Sequence, residues 1–118
     1  MKKKKILVTG GAGFIGSAFI RLLAGTAPLA IIDKLTYAGD LARIKVAVPN
    51  LKFYRTDICD KGGIEVIFKK ERPDIVVHFA AESHVDRSIN DASPFIETNI
   101  KGTQILLDAS RKYNVKKF

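Results

Sequence analysis

Cysteine, tryptophan and long apolar runs are scarce in this chain of 118 residues, and these shortages exclude several classes of protein. The lone cysteine, Cys59, cannot form an internal disulfide, which is typical of proteins from a reducing compartment. No apolar run approaches the roughly 20 residues of a membrane-spanning helix. The opening MKKKKILVTG turns into glycines too early for a signal peptide. We therefore expect a cytoplasmic protein without a membrane partner.

The composition is that of one globular domain covering residues 1–118. It is 47% hydrophobic and 27% charged, with a net charge of +8. The lysines lie at the two ends and in FKKER at 68–72, and aromatic residues are not interleaved with them. This pattern argues against nucleic-acid binding, and it fits a solvated surface or a general attraction for phosphate-bearing ligands. We predict no metal site.

Short apolar runs alternate with helical patterns along the chain. We predict strands at 5–9, 29–33, 51–57 and 74–80, and the final VKKF as the start of a fifth. Helices are predicted from FIGSAF to Gly25, from a cap at Asp60 to Glu71, and from Ser93–Pro94 to about Tyr113. One stripe of the last helix is predicted to carry Ile96, Ile100, Thr103 and Leu107.

Strands that are apolar on both faces, with helices between them, indicate a parallel sheet covered on both sides. Right-handed crossovers then lead to an α/β fold with a doubly wound, Rossmann-like sheet in the order 3-2-1-4.

The strongest local signal is VTGGAGFIGS, in which Gly10, Gly13 and Gly16 follow a strand and open a helix. Gly11, Gly13 and Gly16 also fit G-x-G-x-x-G, a pattern that is weak by itself. In this context Gly10 allows a tight turn, Gly13 lets a pyrophosphate approach the backbone, and Gly16 lets helix and strand pack closely. A glycine-rich turn without a ligand is the alternative.

Two aspartates follow the next strands. Asp33 lies 17 residues after Gly16 and can accept hydrogen bonds from both ribose hydroxyls, while repelling a 2′-phosphate. This favours NAD over NADP, although the adjacent Lys34 weakens the argument. Asp57 is placed to meet the adenine. Either aspartate could instead be an ordinary solvated carboxylate.

Five segments together resemble the N-terminal half of the dTDP-glucose 4,6-dehydratases, in the extended short-chain dehydrogenase/reductase family. They are VTGGAGFIGS, DKLTYAG, TDICD, HFAAESHVDRSI and ETNIKGT. The resemblance covers nearly the whole chain, and DKLTYAG and AAESHVDRSI are its most specific parts. Such enzymes use NAD to oxidise glucose C4, eliminate water across C5 and C6, and return the hydride to C6.

The resemblance also implies roles for individual residues. The implied cofactor contacts are the pyrophosphate loop (Gly10, Gly13, Phe14, Ile15, Gly16) and the segment around the adenosine ribose (Asp33, Lys34, Leu35, Thr36, Ala38, Gly39). Further implied contacts are the adenine contact (Asp57, Ile58), the end of the fourth strand beside the cofactor (Ala80, Ala81, Glu82) and the helix asparagine that supports the active site (Asn99). The implied contacts with the sugar nucleotide are Ser83, His84 and Val85.

For several polar residues, interpretations without a ligand or catalytic role remain open. His84 could be a loop histidine without a ligand, and Asp86 and Arg87 could form a loop ion pair. His78 lies inside an apolar run and is interpreted as a hydrogen-bonded core histidine. Tyr113 and Lys117 match Y-x-x-x-K, but a helix end and a strand start need not share a face, so we do not interpret them as catalytic.

The family's catalytic tyrosine and lysine, its acid–base Asp–Glu pair and its substrate-binding region all match positions beyond Phe118. We therefore expect the cofactor-binding part of a dehydratase, inactive as this chain alone. The alternatives are a stand-alone NAD- or nucleotide-binding module and the same part of another nucleotide-sugar epimerase or dehydratase. An uncovered fourth strand further predicts a homo-oligomer, associating through that edge or through VKKF.

Overall fold

Four parallel strands form the centre of the protein. The computed structural model describes residues 4–35, 52–80 and 97–118. The strands are β1 (Ile6–Thr9), β2 (Leu29–Ile32), β3 (Lys52–Tyr54) and β4 (Ile75–His78). They are ordered β3-β2-β1-β4, and Ile6 of β1 is paired with Leu29 of β2 and Ile75 of β4. This confirms the predicted order, although the strands are shorter than predicted, most of all β3, which has 3 residues.

Within the described residues, three helices and one π-helical turn accompany the sheet. They are α1 (Phe14–Leu23), α2 (Lys61–Glu71), the π-helical turn (Glu97–Gly102) and α3 (Thr103–Lys112). The predicted stop after α1 is confirmed, because Gly25 has a φ of +81° that favours glycine. The predicted start of the last helix at Ser93–Pro94 lies outside the described residues.

The helices cover both faces of the sheet, as a doubly wound fold requires. Successive residues of a strand point to opposite faces. Leu7 accordingly belongs to a core with α2 and α3, whereas its neighbour Val8 packs with Ile20 of α1. Two apolar cores therefore stabilise the sheet, and the larger lies under α2 and α3.

The stripe of residues predicted for one side of the last helix is not the side that is buried. Ile100 is 65% exposed and Leu107 46% exposed, whereas Leu106 is fully buried; Ile96 lies outside the described residues. The π-helical turn has a wider period than the α-helix, which changes the phase of the residues that follow it. The packed face also uses a small residue, since a Cβ at Gly102 would lie 2.4 Å from Cδ1 of Ile58.

The final segment lies beside β4 but forms only a bridge. Lys117 pairs in parallel with Ile75, and the Val76 amide donates to the Lys117 carbonyl at 2.9 Å. Tyr113 follows the last turn of α3, and its hydroxyl donates to Glu65 of α2. Tyr113 and Lys117 therefore do not share a helical face, as their predicted positions at a helix end and a strand start imply.

A buried carboxylate lies at the C-terminal end of α2. The Glu71 side chain is fully buried; it accepts a hydrogen bond from the Tyr54 hydroxyl, and its Oε1 lies 3.2 Å from Nζ of Lys5 and 3.6 Å from Nζ of Lys52. Burial by itself would raise the pKa of Glu71, but the hydrogen bonds from Tyr54 and Lys5 outweigh burial and hold that pKa below its usual value. This cluster joins β3 and α2 to Lys5, the residue just before β1.

No helix in the described parts of the chain has the length and apolar character needed to cross a membrane.

Candidate functional site

The carboxyl ends of the four strands bring the predicted site residues to one edge of the sheet. The glycine turn follows β1, Asp33 follows β2, Asp57 follows β3 and Ala80 follows β4. In open α/β sheets this edge is where ligands bind. Because β1 is central, the glycine turn lies between Asp33 on one side and Ala80 on the other.

The glycine turn has the geometry that its spacing predicts. Gly10 has a φ of +69°, and a Cβ there would lie 2.6 Å from the backbone nitrogen of Ala80. A Cβ at Gly16 would lie 2.1 Å from the carbonyl oxygen of Gly10. Both gaps are too small for a side chain, and the obstacle in each case is backbone. The turn, α1 and the end of β4 thus pack together only because these positions are glycine.

The N-terminus of α1 is open to a ligand. Its N-cap is Gly13, which provides no side-chain hydrogen bond, and Phe14 and Ile15 are 81% and 69% exposed. Amides in the first turn of a helix have no intrahelical acceptor, and they carry the positive end of the helix dipole. Such an arrangement suits a phosphate group.

Asp33 is held rigidly between β2 and the glycine turn. Its Oδ2 accepts from the Ala12 amide at 2.9 Å, and its Oδ1 accepts from the Leu35 amide at 2.7 Å. The residue is only 9% exposed. A carboxylate offers about four acceptor positions, so each oxygen can still accept a second hydrogen bond from a ligand.

Lys34 does not extend freely beside Asp33. Its Nζ lies 3.2 Å from Oδ2 of Asp57, whose Oδ1 accepts from the Cys59 amide at 2.9 Å. Burial would raise the pKa of Asp57, but the Cys59 amide and the Lys34 ammonium outweigh burial and hold that pKa below its usual value. The positive charge of Lys34, which weakened the argument for NAD over NADP, is therefore partly compensated by the Asp57 carboxylate.

Ile58 is placed differently from a side chain that lines a ligand pocket. It is 4% exposed and packs in the core under α2 and α3, against Gly102. Only the backbone of Ile58 is therefore suited to an adenine contact.

A hydrogen-bonded chain that the sequence did not predict connects β1, β4 and α3. Thr9 Oγ1 lies 2.6 Å from Nδ1 of His78, and Nε2 of His78 lies 2.9 Å from Oγ1 of Thr103. The interpretation of His78 as a hydrogen-bonded histidine is confirmed, but the residue is half-buried rather than in the core, and its partners lie on separate elements. No sequence motif indicates this, since 69 residues separate Thr9 from His78.

Asn99 lies in the π-helical turn, where it is exposed and its carbonyl accepts from Thr103 Oγ1 at 2.9 Å. The remaining predicted site residues lie outside the described residues. They are Thr36, Ala38, Gly39, Ala81, Glu82, Ser83, His84 and Val85.

With this geometry in view, comparison with known proteins identifies the family. Residues 7–118 match the family model described as GDP-mannose 4,6 dehydratase. The chain belongs to the GDP-mannose 4,6 dehydratase family.

Within the GDP-mannose 4,6 dehydratase family, similar relatives are named as dTDP-glucose 4,6-dehydratases. The chain is 54% identical to the dTDP-glucose 4,6-dehydratase of Escherichia coli, over 92% of this chain and 31% of the relative. It is 52% identical to the probable dTDP-glucose 4,6-dehydratase of Sinorhizobium fredii, over 92% of this chain and 32% of the relative. The chain therefore spans about a third of the length of these relatives.

Solved structures agree with a Rossmann-like fold. A dTDP-glucose 4,6-dehydratase from Streptomyces venezuelae, solved with NAD bound, has a TM-score of 0.85 and 49% identity, covering 95% of this chain and 37% of that one. A UDP-glucose 4-epimerase from Thermus thermophilus, in complex with NAD, has the same TM-score and 39% identity, covering 94% and 35%. The resemblance inferred from the motifs is thus confirmed.

Proposed function

We propose that this chain is the NAD-binding part of a dTDP-glucose 4,6-dehydratase. The observation that carries the proposal is the joining of Asp33 to the glycine turn through the Ala12 amide, at the ligand-binding edge of the sheet. A dinucleotide fits this edge, because a phosphate-binding helix end and a ribose-binding carboxylate lie on adjacent strands.

Each described residue then has a separate task. The amides near Gly13, Phe14, Ile15 and Gly16 bind the pyrophosphate, and Gly10 sets the turn. Asp33 accepts from the ribose hydroxyls, with Lys34 and Leu35 beside it. Asp57 and the Ile58 backbone meet the adenine. Ala80 lies beside the nicotinamide half, and Asn99 supports the active site from the π-helical turn.

Two lines of support favour a dehydratase over the epimerase alternative. The three dehydratases compared above are more similar in sequence, at 49–54% identity, than the Thermus epimerase at 39%. DKLTYAG and AAESHVDRSI also match the dehydratase motifs. When bound, NAD would accept a hydride from the sugar and return it, and the chain's residues would bind and orient the cofactor.

Calorimetric titration of the purified chain with NAD tests the binding. We expect saturable binding, and Asp33→Asn should weaken it by about tenfold or more, since hydrogen bonds to charged groups contribute about 1.5–3 kcal/mol. Asp108→Asn, on the exposed face of α3, is the matched control and should leave the affinity unchanged. Equal affinities for the wild type and Asp33→Asn would contradict the assignment.

The activity of the isolated chain is a separate matter. We propose that residues 1–118 form a partial NAD-binding domain that binds the cofactor without converting dTDP-glucose, because the family's tyrosine–lysine pair matches positions beyond Phe118. Formation of the 4-keto-6-deoxy sugar by the purified chain, followed by chromatography, would overturn this proposal.

We also propose a cytoplasmic location and self-association. The lone Cys59 supports a reducing compartment.

The proposed self-association rests on the edge of the sheet. Within the described residues, the outer side of β4 is paired at one bridge, between Ile75 and Lys117, which leaves strand edge available to another chain. Sedimentation equilibrium over a hundredfold concentration range should detect association, and a monomer throughout would contradict it. Fractionation of cells tests the location.

A further inference from the structure

His78 is the central member of a chain of hydrogen bonds whose direction can be assigned. Thr103 Oγ1 donates its single hydrogen to the Asn99 carbonyl at 2.9 Å. Thr103 must therefore accept from His78, so Nε2 of the ring carries a hydrogen. The other ring nitrogen, Nδ1, is then an acceptor if the imidazole is neutral.

The assignment continues to β1 without conflict. Thr9 Oγ1 donates to Nδ1 of His78 at 2.6 Å, and the same oxygen accepts from the Ala80 amide at 3.2 Å. Thr9 is fully buried, so no rearrangement toward solvent is available to it. Desolvation of the ring lowers the pKa of His78, which agrees with a neutral imidazole. Each of the three side chains, Thr9, His78 and Thr103, thus donates one hydrogen bond of the chain and accepts one.

The chain joins three parts of the candidate site. Ala80 follows β4 and lies against Gly10, where even a Cβ could not be accommodated. Thr9 is the last residue of β1, just before the glycine turn. Thr103 follows the π-helical turn that contains Asn99. π-Helical turns are rare and occur often at functional sites.

We propose that His78 is a positioning residue. Through Thr9 and Thr103 it sets the separation between the strand ends beside the glycine turn and the π-helical turn that contains Asn99. Its effect on NAD rests on the proposed function, but the hydrogen-bonded chain itself does not. A core histidine without this role would affect stability only.

The first test measures the ring tautomer. The sequence contains two histidines, His78 and His84, so a spectrum of the ¹⁵N-histidine-labelled chain contains two imidazoles, and His84→Asn assigns them. We expect His78 to be neutral at pH 7 with the hydrogen on Nε2. A hydrogen on Nδ1, or two tautomers in rapid exchange, would overturn the inference.

The second test breaks the chain at its far end. Thr103→Val removes the acceptor of His78 and the donor to Asn99, whereas Thr103→Ser keeps the hydroxyl and should rescue both. We expect Thr103→Val to shift the amide resonance of Ala80, which lies 23 positions away along the sequence, and to weaken NAD binding about fivefold, as for one net hydrogen bond. Thr26→Val, which loses an exposed hydroxyl contact after α1, should change neither.

The outcomes separate this inference from the proposed function. A wild type that binds no NAD overturns the proposed function, while the tautomer and the Ala80 resonance still decide whether the chain of hydrogen bonds exists. If NAD binds but Thr103→Val leaves both its affinity and the Ala80 resonance unchanged, the positioning role is wrong. A loss of affinity that Thr103→Ser fails to restore would also overturn it.

Discussion

At the scale of single residues, glycine and aspartate determine how the sheet edge is built. Gly10 and Gly16 are required because backbone atoms occupy the space that a Cβ would need. Asp33 joins the end of β2 to the glycine turn, because its carboxylate accepts from the Ala12 amide at 2.9 Å, while its other oxygen accepts from the nearby Leu35 amide at 2.7 Å. The charge of Lys34, which could attract a 2′-phosphate, is partly compensated by Asp57 at 3.2 Å. The proposed preference for NAD would therefore depend on two carboxylates, Asp33 and Asp57, of which the sequence identified only Asp33 as decisive.

Replacing Gly16 by alanine tests the close packing at this edge. The new Cβ would lie 2.1 Å from the Gly10 carbonyl oxygen, so we expect the free energy of unfolding to fall by about 1–3 kcal/mol. We also expect the variant to lose measurable NAD binding. Urea denaturation and calorimetry measure the two effects. Gly62→Ala is the control, because its Cβ would meet Asp60 at an ordinary 3.8 Å. A Gly16→Ala variant as stable as the wild type would refute the packing argument.

At the scale of secondary-structure elements, helix ends were more predictable than helix faces. Asp60 caps α2 as expected, with its Oδ1 accepting from the Gly63 amide at 3.1 Å. The buried face of α3 was not predicted, because the π-helical turn before it alters the phase of the apolar pattern. Caps depend on neighbouring residues in the sequence, whereas a helix face depends on what packs against it.

Removal of the cap measures its contribution. Asp60→Ala should lower the free energy of unfolding by about 1 kcal/mol, because the Gly63 amide loses its acceptor in the first turn of α2. Asp60→Ser should retain most of the stability. Asp108→Ala, in the middle of α3, replaces an exposed aspartate by a better helix former and should not destabilise the chain. Thermal unfolding followed by circular dichroism compares the three variants.

At the scale of the whole molecule, the buried Glu71 carboxylate of α2 contacts β3 and Lys5, the residue just before β1. Glu71→Gln should lower the free energy of unfolding by about 2 kcal/mol, less than the roughly 3–5 kcal/mol for fully buried pairs, because Lys5 and Lys52 are partly exposed. Glu65→Gln on the same helix is the matched control, since its pair with Lys112 lies at the surface and contributes little. Equal losses in the two variants would contradict a special role for the buried cluster.

The same cluster predicts how stability depends on pH. The pKa of Glu71 lies below its ordinary value of 4.5, so its contribution is present above pH 4.5 and is lost as the pH falls further. Burial, with a smaller effect of Glu71, raises the pKa of Tyr54 from 10.0 to about 12. The stability that the protonated Tyr54 hydroxyl contributes is therefore lost as the pH rises above 10. Urea denaturation across pH should show the difference between wild type and Glu71→Gln shrinking below pH 4.5. A constant difference would contradict this.

The sequence by itself determined the parallel sheet, its order, the glycine turn, the cap at Asp60 and the aspartates at the strand ends. These features depend on apolar runs, on glycine's freedom at positive φ and on short-range capping, all of which are encoded locally. The tertiary structure alone decided the partner of Lys34, the burial of the Ile58 side chain, the face of α3 and the partners of His78. Each of these depends on contacts between residues distant in sequence, and packing and desolvation act through such contacts without leaving a periodic pattern.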